Sequence, residues 1–230
     1  MVNNYKNIIR LKVVAKALSE LKNKAVFVGG AVVELYTDDP ARGEVRPTDD
    51  IDVLIEIINR SNHAILEEKL RAIGFKNDMD SGVICRYKYH DIVVDVMPED
   101  SNVLGFTNSW YKEGLRNTST ITFDEDIEIL IFNLEYFLAS KFEALNSFRH
   151  GKDFRFNSDF EDIIYVFDNR LNIIEELQLR ENPAIGYLRI EIRSLLERPN
   201  IEEEIISNIE PSNSSLRAGR IIQIMETFIQ

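Results

Sequence analysis

The chain has 230 residues, 44% hydrophobic and 29% charged, with 10 Gly and 6 Pro, the make-up of a soluble globular protein of one or two domains. No apolar run approaches the ~20 residues that a membrane-spanning helix needs, and the opening MVNNYKNIIRLKVVAK has no cleavable apolar segment, so no membrane is expected and the expected compartment is cytoplasmic. A single cysteine, Cys85, with His63, His90 and His150 scattered, excludes an internal disulfide and a zinc cluster; a net charge of -12 repels polyanions unless a local basic surface or bound cations intervene.

Tyr5, Ile8, Ile9, Val13, Leu18 and Leu21 recur near a 3.6-residue period, which predicts an amphipathic helix over residues 4–22. A short strand over 25–28 follows. Gly29-Gly30 then turns the chain into a short helix over 31–36, and a loop over 37–48 is punctuated by Pro40, Gly43 and Pro47. The β-branched run DDIDVLIEI predicts a strand over 50–57, and Ser61 caps a helix that ends before Gly74. Two β-rich runs, 83–89 and 92–97, divide at His90-Asp91 and predict an antiparallel hairpin. A second hairpin joins TITF to IEILIF through Asp124-Glu125-Asp126. Asn133 caps a helix to about residue 146, and a polar linker over 146–157 leads to helices starting at Ser158 with Glu161 as a capping box, at Asn182-Pro183, at Asn200 and at Ser214 or Ser215. The expected layout is an α/β domain over 1–135 and a helical domain over 136–230.

Asp-x-Asp occurs at Asp50/Asp52, Asp78/Asp80 and Asp124/Asp126. The latter two pairs fall in turns, where Asp is ordinary. Asp50 and Asp52 instead open a strand that continues as Val53-Leu54-Ile55; residues i and i+2 share a face with Cα atoms about 6.6 Å apart, close enough to bind common cations. Asp95 lies inside the apolar run IVVDVM, where an unpaired carboxylate is costly to bury, on a strand that could neighbour the first. Three hard oxygen ligands without His or Cys suit Mg2+ or Mn2+. The alternative is that Asp50 and Asp52 are solvated edge charges and Asp95 is paired to an arginine such as Arg86. Gly29-Gly30 after AVFV lets backbone N–H groups approach an anion, although a tight strand-to-helix turn explains the same pair.

The segments VGGAVVELY (28–36), RPTDDIDVLIE (46–56), DIVVDVMPED (91–100), LGFTNSWY (104–111) and LASKFEAL through GKDFRFNSDFEDI (138–163) together resemble the nucleotidyltransferase superfamily, most closely the bacterial AbiEii toxin-like group of type IV toxin-antitoxin systems. The resemblance implies an α+β fold: a nucleotidyltransferase-like, polymerase beta-like mixed sheet with flanking helices, followed by a C-terminal helical region. It implies that Gly29, Gly30 and Thr48 bind the nucleotide, and that Asp50, Asp52 and Asp95 bind Mg2+ or Mn2+. Asp95 would also position or deprotonate the attacking hydroxyl, and Lys141 would steady the triphosphate of the NTP. Where many members have Ser after the paired Gly this chain has Ala31, and the stretch between Gly30 and Asp50 is longer than in many members.

Metals and Lys141 would offset the triphosphate charge in so acidic a chain. Lys141, Arg149, His150, Lys152 and Arg155 form the most basic stretch and a candidate RNA or phosphate contact, or else a solvated loop. Asp159 and Asp162 are further site candidates by resemblance, while Glu161 needs only the helix start to explain it. Trp110 and Tyr111 either stack on a base or pack in the core. The expected activity is transfer of a nucleoside monophosphate from an NTP to an RNA, protein or small-molecule hydroxyl, with a cognate antitoxin as a possible partner. The alternative is a non-catalytic nucleotide-binding or partner-binding module on the same fold.

Overall fold

The computed structural model describes residues 5–56, 60–98, 108–123, 127–147 and 153–230. Helix α1 (Tyr5–Leu18) forms where apolar residues repeat at helical spacing: Leu11, Val14, Ala15 and Leu18 are fully buried in one stripe. It does not continue to residue 22 as the periodicity predicts. Ser19 takes a left-handed φ of 50°, and Ser19–Lys24 form a 3-10 turn without a buried residue, so no apolar face holds an α-helix there.

Strands β1 (Ala25–Val28), β2 (Asp50–Ile55), β3 (Lys76–Asn77), β4 (Arg86–Tyr89), β5 (Ile92–Pro98), β6 (Thr118–Thr122) and β7 (Glu128–Phe132) make, among the described residues, one seven-stranded sheet of order β3-β4-β5-β2-β1-β7-β6. The sheet is mixed. β2 runs parallel to β5 and β1 parallel to β7, whereas β1-β2, β3-β4, β4-β5 and β6-β7 are antiparallel. Both expected hairpins are therefore present, the first turning at His90, which holds a left-handed φ of 53°. β1 is buried along its whole length, as a strand covered on both faces must be. β2 ends at Ile55, earlier than residue 57. Helix α2 (Arg60–Ala72) follows it and buries Leu66 and Leu70, and a short α3 (Tyr111–Arg116) precedes β6.

The chain divides into two compact units, Met1–Val32 with Arg46–Asn133, and Val33–Val45 with Leu134–Gln230. The first holds the sheet. The second holds α4 (Leu134–Leu145), α5 (Ser158–Asn169), α6 (Ile173–Gln178), α7 (Pro183–Leu196), α8 (Ile201–Ile206) and α9 (Ser214–Phe228). α4 is buried nearly all round and touches α5 and α7. Its buried Glu135 accepts a hydrogen bond from the Asn182 amide at 3.1 Å. α9 packs Ala218, Ile221, Met225 and Phe228, all fully buried, toward its helical neighbours.

Residues 33–45 belong to this helical unit through identifiable contacts. Tyr36 stacks on Phe137 with ring centroids 4.1 Å apart, the N–H groups of Asp38 and Asp39 both donate to the Asn169 carbonyl at 3.1 Å, and the Tyr165 hydroxyl donates to the Gly43 carbonyl at 2.9 Å.

Helices α2 and α5 start differently from their expected caps: α2 begins at Arg60, so Ser61 is already helical. The Asn157 side chain, not Ser158, accepts the first free N–H groups of α5, from Asp159 at 2.9 Å and Phe160 at 3.0 Å, and Ser158 is already helical. Asn and Ser are about equally good N-caps, and Asn157 stands one residue earlier, where its side chain reaches the first free N–H groups. At α7 the expected arrangement is present, with Asn182 accepting from the Ile185 N–H and Pro183 in the first turn. Asn200 and Asn213 precede α8 and α9 without a side-chain cap bond.

Candidate active site

The register between β2 and β5 sets Asp52 directly opposite Asp95, and Asp50 lies two residues before Asp52, so the three carboxylates belong to one face of the sheet. The alternate residues Ile51, Val53, Val94 and Val96 are buried on the other face. A parallel pair thus collects, from positions more than forty residues apart, acids that the sequence separates.

Arg86 stands opposite Asp95 on the next strand, β4. Its Nε donates to Asp95 Oδ1 at 2.8 Å and its Nη2 to Asp95 Oδ2 at 2.7 Å, a side-on bidentate pair. The same Nη2 donates to Asp50 Oδ2 at 2.9 Å. The arginine pairing weighed as the alternative for Asp95 is present, and Arg86 takes Asp50 as well. Burial raises the Asp50 pKa, the neighbouring Asp95 raises it further, and Arg86 pulls it back. Hydrogen bonding to Asp95 holds the Arg86 proton more tightly still. Next to it the buried Cys85 thiol is pushed up to about 11, by burial first and by Asp95 second.

The pairing of Val28 with Asp52 brings Gly29 beside the same face. Gly29 holds φ at 75°, and a Cβ there would lie 1.9 Å from Asp52 Oδ2, so only glycine fits both the backbone and the space. Gly30 opens the 3-10 helix Gly30–Tyr36 that the sequence placed as a short helix.

Thr48, expected at the nucleotide, is buried and braces the start of β2: its hydroxyl donates to the Asp50 carbonyl at 2.8 Å and its N–H to Asn7 Oδ1 at 3.1 Å. The Asn7 amide also donates to the Arg46 carbonyl at 3.1 Å, and Arg10 donates to the carbonyls of Thr48 at 2.5 Å and Asp49 at 2.6 Å. Sequence reasoning did not single out Asn7 and Arg10. Their signal is a pair of hydrogen-bonding side chains three residues apart, which share a helix face.

Lys141 lies in the helical unit, on α4. Its Nζ is 2.9 Å from Asp159 Oδ1 and 2.6 Å from Asp162 Oδ2, both on α5. Burial by itself lowers the Lys141 pKa, but Asp162 and Asp159 outweigh it and keep the ammonium charged, above its ordinary value. Arg155 pairs with Asp153 through Nη2 at 2.7 Å. Arg149, His150 and Lys152 lie outside the described residues, as do Asp124 and Asp126 and residues 104–107 of the LGFTNSWY segment. Trp110 precedes α3, and the Tyr111 ring centroid is 6.2 Å from that of Phe132 in β7. Asp78 sits in a turn and pairs with Lys88 at 2.9 Å.

A divalent cation is what the resemblance implies for the three aspartates. By donor chemistry they fit one, being hard oxygen ligands on one face of adjacent strands. As they stand, Arg86 occupies Asp50 and Asp95, and no group of His, Cys, Asp or Glu among the described residues is arranged to hold an ion.

No family model and no curated protein matches the chain. Among solved structures it is similar to an antigenic nucleotidyltransferase-like protein from Paracoccidioides brasiliensis, with a TM-score of 0.57 and 19% identity over 90% of this chain and 95% of that one. At this identity the likeness establishes the fold: a mixed α+β, nucleotidyltransferase-like architecture.

Proposed function

We propose that this chain transfers a nucleoside monophosphate from an NTP to a hydroxyl acceptor. The observation that carries this reading is the meeting of Asp50, Asp52 and Asp95 on one face of β2 and β5, beside the Gly29 turn, in a nucleotidyltransferase-like fold. In the reaction the acceptor oxygen forms a bond to the α-phosphorus, the bond from that phosphorus to the pyrophosphate oxygen breaks, and the hydroxyl proton leaves. Asp95 is the residue proposed to take that proton. Asp50 and Asp52, with Asp95, would hold Mg2+ or Mn2+, which supplies positive charge to the entering and leaving oxygens when bound. Gly29 and Gly30 would let the backbone approach the phosphates, and Thr48 would act by fixing the start of β2 through the Asp50 carbonyl. The acceptor class is RNA, protein or a small molecule.

Incubation with Mg2+, each labelled NTP and panels of RNA, protein and small-molecule acceptors tests the proposal. Label transfer that Asp50→Ala and Asp52→Ala abolish is expected; transfer that survives both substitutions refutes the assignment of these carboxylates. The toxin-antitoxin role implied by the resemblance predicts growth arrest on expression, relieved by Asp50→Ala.

One observation favours a second reading, a non-catalytic nucleotide-binding or partner-binding module: Arg86 already neutralises two of the three carboxylates. Calorimetry separates the two, because a binding module retains NTP affinity and releases no pyrophosphate.

A further inference from the structure

We propose that Arg86 is the resident cation of the carboxylate site, and that a divalent cation binds there only by displacing the guanidinium from Asp50 and Asp95. The inference deepens the nucleotidyltransferase reading, on which it rests for the identity of the incoming ion. It is carried by three hydrogen bonds from one side chain. Nε and Nη2 close on both oxygens of Asp95 at 2.8 and 2.7 Å, and Nη2 reaches Asp50 at 2.9 Å, so the guanidinium bridges carboxylates from two neighbouring strands. A metal ion that takes these oxygens as ligands must take them from Arg86.

The competitor is built into the chain and does not depend on pH, because a guanidinium stays protonated throughout the range in which the protein is folded. The Arg86 side chain keeps 27% of its surface exposed, whereas that of Asp95 keeps 12%, so of the two the arginine is the one nearer to solvent. The displaced arginine needs a new anion. A nucleoside triphosphate arriving with its cation brings one, and the fork of N–H donors that now grips a carboxylate matches a phosphate equally well. The site would therefore bind a bare divalent cation weakly and a cation-nucleotide pair well.

Mn2+ alone, without nucleotide, is the first probe. Free Mn2+ counted by electron paramagnetic resonance should show that Arg86→Met binds the ion about tenfold more tightly than the wild type, the size of an ordinary coupling between two ligands. Arg86→Lys, which keeps the charge on a shorter arm with no fork, should fall between. Asp52→Asn should weaken Mn2+ binding in both backgrounds, which assigns the counted ion to this site. Equal or weaker Mn2+ binding by Arg86→Met overturns the proposal.

The wild-type protein supplies a check that needs no variant at position 86. Addition of Mg2+ to saturation should move the Arg86 Nε–H resonance, because its acceptor Asp95 is taken, and a resonance that stays in place overturns the proposal as well. These readouts are separable from the enzymatic reading. Displacement without label transfer from any NTP retains Arg86 and removes the transferase, whereas transfer with unchanged Mn2+ affinity in Arg86→Met retains the transferase and removes Arg86.

Discussion

Gly29 and Asp52 compete for one volume: the Cβ of any other residue at position 29 would sit 1.9 Å from the Asp52 carboxylate oxygen, in a backbone already at φ 75°. Gly29→Ala should therefore act twice. The left-handed backbone costs the new residue about 1–2 kcal/mol, and the methyl group drives Asp52 from its place opposite Asp95. A urea denaturation midpoint below that of the wild type is the expected result, together with loss of Mn2+ binding at the site. A variant with the wild-type midpoint would show that the turn tolerates a side chain.

Lys141 should be a stability residue of the helical unit whatever else it does. It is buried between Asp159 and Asp162, and replacing it by Met leaves two carboxylates facing each other in a desolvated place. Breaking such a pair from one side costs about 3–5 kcal/mol. Chemical denaturation monitored by circular dichroism measures it. Restoration of part of the loss by adding Asp162→Asn would confirm that the uncompensated charge, rather than lost packing, is responsible.

Asp168 on α5 accepts from Arg217 and Arg220, both on α9. The acid is almost wholly buried, whereas the Arg220 side chain is 48% exposed, so the two ends of the same contact should respond unequally. Asp168→Ala removes the shared acceptor of both arginines and should cost about 3 kcal/mol, two charge-assisted hydrogen bonds at about 1.5 kcal/mol each. Arg220→Ala leaves Arg217 in place and removes a largely solvated charge, for about 1 kcal/mol or less. Equal losses for the two variants would show that the acid is better hydrated than its burial indicates.

Cys85 gives a pH dependence with a defined sign. Its thiol ionises at about 11 in the folded chain against an ordinary value of 9.0, because burial and then Asp95 disfavour the thiolate. The folded state therefore keeps a proton that the unfolded chain releases first. This contribution to stability is complete below the unfolded value and is lost as pH rises through the folded one. Alkylation at pH 8 should accordingly be slow in the native protein and fast in urea, and the urea midpoint should decline between pH 9.0 and about 11. Rapid native alkylation at pH 8 would contradict the burial of the thiol.

The elements that could be read from the chain are those whose signal is local. β1 and the two hairpins follow from β-branched runs and turn residues that sit next to one another in sequence. The end of α1 was less legible, since Lys and Asn between apolar residues look helical whether or not an apolar face meets a neighbour. The aspartates were visible as residue types at strand spacing, but their register is a property of the β2-β5 pairing, which no short window contains. Arg86 could be named as a partner for Asp95, yet its reach to Asp50 depends on three strands lying in the order β4-β5-β2. The membership of residues 33–45 was hidden for the same reason, because their partners Phe137, Tyr165 and Asn169 lie more than a hundred residues downstream.

That excursion has a practical consequence for anyone dissecting the molecule. Because the segment leaves the sheet unit after Val32 and re-enters it at Arg46, a fragment truncated at residue 133 would carry a strip of chain stripped of its stacking partner and its carbonyl acceptor. The strip is anchored three residues past Gly30 on one side and three before Thr48 on the other. The two units are thus not interchangeable cassettes, and a graft of the sheet unit onto another helical partner would have to bring residues that re-seat Tyr36 and Asp38.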